Sequence, residues 1–131
     1  MNIIIPEKFK GEDSAYGQGN SYKQRFTRMT GPSGEGAGTY VLQDGMATSK
    51  VKEIADALKI EYKPTWFAHQ IAKKVLEQVL GDKFIKPKRG ARSCTLNAAI
   101  FDGFMLVHDY DNDGLGMSNS IQVGCYVYSK V

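Results

Sequence analysis

The segment PTWFAHQIAKKVLEQVL, residues 64–80, constrains this chain most. Ala68, Ile71, Ala72, Val75, Leu76 and Val79 recur at helical spacing and form one apolar stripe. A stripe this continuous must be buried against another element. Pro64 suits the first turn, where its missing amide has no helical partner, and Gly81 supplies a stop. A second stripe precedes it in TSKVKEIADALKI, with Val51, Ile54, Ala55 and Leu58 on one face and Ser49 or Thr48 placed to cap it. Beyond the basic stretch KPKRGAR the period changes to two. CTLNAAIFDG, FMLVHDY and IQVGCYVYSKV read as three strands joined by Gly and Asp turns. Upstream, NSYKQRFTRMT (20–30) and TYVLQDG (from Thr39) read as two more. The expected fold class is α+β, two adjacent helices packed on a mostly antiparallel sheet in the order ββααβββ.

Between the first two strands lies GPSGEGAG, Gly31 to Gly38, with four glycines and a proline in eight residues. It reads as a hairpin tip. A phosphate-wrapping loop would need a following helix or a closing lysine with Ser or Thr, and a strand follows here instead. Whether this loop orders on a ligand is left open by the sequence.

The 131 residues fit one domain, 1–131, and 42% apolar with 24% charged residues is ordinary globular usage. No apolar run approaches the roughly 18 to 20 residues that span a bilayer. The start, MNIIIPEKFKG, has neither signal-peptide nor transit-peptide character, so a cytoplasmic location is expected. Two cysteines make no disulfide scaffold. Cys125 reads as a small buried hydrophobe, and Cys94, after Arg92 and Ser93, has positive charge nearby that would favour its thiolate. His69 and His108 are the only histidines. No nucleophile motif or zinc spacing accompanies them, so the reading leans away from an enzyme and no cofactor is expected.

HDYDNDGLG, His108 to Gly116, raises a metal question. Asp109, Asp111 and Asp113 alternate and are followed by Gly114, like the first half of a calcium loop. The twelfth position is Ser120, where such loops place a glutamate. DNDG between apolar runs is also strong turn chemistry. The expectation is a plain turn, with a weak divalent site as its alternative.

Charge is distributed unevenly. Residues 1–49 carry five basic and five acidic side chains, residues 50–92 eleven and five, and residues 93–131 one and four. A basic middle of this kind suits an anionic partner. The segment VKEIADALKIEYKPTWFAHQIAKKVLEQV resembles the helix-turn-helix units of DNA-binding proteins. Ala55 stands where such units want a small residue, and Ile54, Leu58 and Ile60 occupy core-like positions. The resemblance implies a reading helix that presents Thr65, Trp66, His69, Gln70 and Lys73. Lys59 takes the place usually given to glycine.

The functional expectation is a small non-enzymatic protein that binds nucleic acid, or another anionic macromolecular surface, through its basic centre. Phosphate contacts would come from Lys73, Lys74, Lys86, Lys88, Arg89 and Arg92, with Lys23, Arg25 and Arg28 extending the patch. Tyr22, Tyr126 or Tyr128 would stack on unpaired bases. The alternative is a phage-type accessory protein that binds and inhibits or modulates another macromolecule.

Overall fold

A computed structural model describes residues 1–5, 12–15, 40–43, 45–86, 93–112 and 121–130. The order is β1 (Ile3–Ile4), β2 (Glu12–Ala15), β3 (Tyr40–Leu42), α1 (Ala47–Ala57), α2 (Ala68–Leu80), a 3-10 turn (Gly81–Lys83), β4 (Ser93–Phe101), β5 (Phe104–Asn112) and β6 (Ile121–Lys130). All strand pairings among these are antiparallel. β4, β5 and β6 form the centre, β3 lies outside β6, and β1 and β2 follow one another along the free edge of β4. The α+β class holds. The strand expected over 20–30 and the loop Gly31–Gly38 lie outside the described residues, whereas β1 and β2 were not anticipated.

Asp102 and Gly103 join β4 to β5 with φ of +50° and +86°, the tight two-residue turn that Asp-Gly favours. Asp102 also pins the N-terminus, since its carboxylate accepts from the Asn2 amide at 2.8 Å and its own amide donates to the Asn2 carbonyl at 2.9 Å.

α1 and α2 pack on each other and on one sheet face. Val51, Ile54, Ala55, Ile71, Ala72, Val75 and Leu76 meet Ala99, Phe101, Leu106 and Val127 in the core. The other face is buried too: Leu96, Ala98, Ile100, Met105, Val107 and Tyr128 are at most 1% exposed. Strict alternation was therefore the wrong pattern for LNAAIF and FMLV. Their near-continuous apolar runs are what a strand buried on both sides requires. Tyr128 is excluded as a stacking platform by the same burial, and Tyr22 lies outside the described residues.

Two expected boundaries move. α1 begins at Ala47 with Met46 at its N-cap, and Ser49 lies inside the first turn with its hydroxyl donating to the Met46 carbonyl. α2 begins at Ala68 rather than near Pro64, which instead belongs to a turn closed by the Trp66 amide on the Lys63 carbonyl. The Gln70 side-chain oxygen accepts from the Phe67 amide at 2.7 Å, so the cap sits at Phe67. Ten residues, 58–67, then separate the helices, far more than the three or four of a helix-turn-helix turn. That resemblance does not survive.

β5 runs to Asn112, so Asp109 and Asp111 belong to a strand and not to a turn. Asp109 is buried between Leu96 and Gly124, its register partners. Asp113 lies outside the described residues. Among those described, no group of three His, Cys, Asp or Glu could hold a metal ion, and no helix is long and apolar enough to cross a membrane.

Candidate functional site

Asn97 and His108 face each other across β4 and β5, both on the helix-covered face and both fully buried. Their polarity within otherwise apolar strands is what builds the site. Asn97 uses both ends of its amide group: the oxygen accepts from the Ile85 amide at 3.0 Å and the nitrogen donates to the Ile85 carbonyl at 2.9 Å. The side chain thus acts as a short piece of strand and clamps residues 84–86 against the sheet. That clamp fixes Phe84 and Lys86 beside α2.

Between α2, this clamped segment and the sheet lies a cleft of about 740 Å³. α2 contributes His69, Gln70, Lys73, Lys74 and Glu77, and Trp66 stands just before it. Phe84 and Lys86 form a second wall, and His108, Tyr110 and Val123 form the floor. Three lysines thus oppose a single carboxylate. Lys73 and Lys86 are exposed and make no ion pair among the described residues. Lys74 is half-buried: it donates to the Glu61 carbonyl and its ammonium lies 5.7 Å from the Trp66 ring centroid. Its charge therefore also steadies the connection between the helices.

His108 is 1% exposed, and neither ring nitrogen has a hydrogen-bond partner among the described residues. Burial above all, and then the positive charges of His69 and Lys73, push its pKa down to about 4. It is therefore neutral at pH 7, with one nitrogen donating and one accepting. Burial also lowers the pKa of His69, whose ring stacks on exposed Phe67 with centroids 5.9 Å apart. Cys125, opposite His108 on β6, has its thiol pushed up to about 12 by burial, which makes it the inert small hydrophobe expected.

Of the expected contact residues, His69, Gln70, Lys73, Lys74 and Lys86 converge on this cleft. Lys23, Arg25, Arg28, Lys88, Arg89 and Arg92 lie outside the described residues. Sequence reasoning missed Asn97, Phe84 and Tyr110, and weighed His108 as a catalytic histidine and a neighbour of the aspartates, not as part of a binding site. The available signal was a single polar residue in each of the apolar runs LNAAIF and FMLVH. No family model, curated protein or solved structure matches the chain.

Proposed function

We propose that the protein is a non-enzymatic nucleic-acid-binding domain that uses the lysine-lined cleft for single-stranded chains. The observation that carries this reading is the convergence of Lys73, Lys74 and Lys86 with Trp66, Phe84 and Tyr110 around one concavity. Lysines answer the phosphate backbone without regard to sequence, and aromatic faces accept unpaired bases. A duplex is the poorer fit. α2 lies against the sheet along its buried face, and its N-terminal half borders the cleft rather than projecting as a free reading helix.

The test is binding of a labelled mixed-sequence single-stranded oligonucleotide, followed by anisotropy across a salt series. Replacing Lys73 and Lys86 together with Ala should weaken binding for all sequences. It should also flatten the dependence of log affinity on log salt by about 0.7 per lost phosphate contact. Wild-type affinity and salt slope in that double variant would overturn the reading and leave a protein partner as the alternative.

A further inference from the structure

We propose that the cleft is a base pocket: one unpaired nucleobase enters it and hydrogen-bonds His108 at the floor, while the attached phosphate stays at the rim with Lys73 and Lys86. This rests on the nucleic-acid reading above and gives it a specific site.

The floor carries the argument. A buried imidazole with both nitrogens unmet is costly, and none of the described residues relieves it. Asn97, its cross-strand neighbour, is committed to the Ile85 backbone at both ends of its amide. Cys125, on the other side, is at best a weak partner. Among the described residues nothing meets His108, and the cleft that it lines is the approach left open to a ligand.

The chemistry of the floor selects an uncharged group. A neutral imidazole offers one donor and one acceptor, and nucleobase edges present donors and acceptors side by side. Moving a phosphate to the same depth would strip its hydration, a cost that the charge of Lys73 near the ring offsets only in part. Lys73 and Lys86 are solvent-exposed, so a phosphate at the rim keeps its water and gains their charge. Trp66 and Phe84 supply aromatic surface on the walls, and Tyr110 supplies it on the floor. A volume of about 740 Å³ holds one nucleotide with room to spare.

Trp66 is the single tryptophan, so its fluorescence reports on the cleft directly. The probes are adenosine, guanosine, cytidine and uridine 5′-monophosphates, with ribose 5-phosphate and inorganic phosphate as base-free controls. At least one nucleotide should perturb Trp66 saturably, with both controls at least tenfold weaker. His108→Phe should lower nucleotide affinity tenfold or more while melting no lower than wild type, because it fills the site without unmet polar atoms. His108→Gln, which keeps a donor and an acceptor, should retain more of the binding. Two results would overturn the base pocket: phosphate binding as tightly as the nucleotides, or His108→Phe binding them like wild type. If oligonucleotide binding with its lysine-dependent salt slope persists in either case, the broader reading stands. If the oligonucleotide does not bind at all, both fall.

Discussion

Lys59 adopts φ of +58° immediately beyond the end of α1. Its amide donates to the Asp56 carbonyl at 3.1 Å, and the Ile60 amide reaches the Ala55 carbonyl at 2.9 Å. Together these two bonds close a Schellman cap, with Ile60 buried against the helix it terminates. A side chain in this left-handed conformation costs on the order of 1 kcal/mol that glycine avoids. Lys59→Gly should therefore raise the midpoint of urea unfolding by up to about 1 kcal/mol equivalent, with the denaturant slope unchanged. The position usually given to glycine in the sequence was thus a correct pointer to backbone geometry, although the motif it suggested was wrong. His108 makes a second prediction at this scale. Its folded pKa of about 4 lies below the ordinary 6.5, so between these values the unfolded chain binds a proton that the folded chain refuses. Stability should fall as pH drops through that window, by on the order of 3 kcal/mol. His69 and Lys73 from α2 face this ring, with Asn97 and Cys125 across the strands, and none of them offers it a compensating negative charge. Thermal melts from pH 7 to pH 4 should show that slope reduced in His108→Phe, and an identical slope would remove His108 as its source.

At the scale of elements, the hairpin of β4 and β5 is the platform of the site. Its register puts Asn97 opposite His108, and the Asp102-Gly103 turn sets that register. Asn97→Ala should leave the Ile85 amide and carbonyl without their partner, at a cost of about 2 to 3 kcal/mol in chemical denaturation. The same variant should loosen Phe84 and Lys86 and weaken oligonucleotide binding. A variant that loses stability but binds as wild type would show that the clamped wall takes no part in binding. The apolar faces of both helices were legible because a 3.6-residue period survives any change of end point. Their starts were not. The α2 cap depends on Gln70 folding back to Phe67, a residue whose own side chain cannot cap. A glutamine three residues beyond the cap was the faint signal for it.

For the whole molecule, placement of charge matters more than its sum. Of the eleven basic residues between 50 and 92, Lys73, Lys74 and Lys86 line the cleft. Lys50 is spent elsewhere, 3.3 Å from Glu53 and 3.7 Å from the Phe104 ring centroid. Changing Lys73 and Lys86 to Glu, or Lys52 and Lys59 to Glu, lowers net charge equally. The first pair should abolish oligonucleotide binding and the second should reduce it only modestly; equal losses in anisotropy titrations would mean that the overall field, not the cleft, binds. The sequence alone determined the α+β class, because the periods of apolar residues dictate which faces must be buried. It also located the basic middle, since charge is a property of composition. Only the tertiary structure decided that Asn97 and His108 face the helices, that the clamped Phe84–Lys86 segment closes a cleft with α2, and that Tyr128 is buried. Those facts depend on strand register and on contacts between residues far apart in the chain, and no local period encodes them.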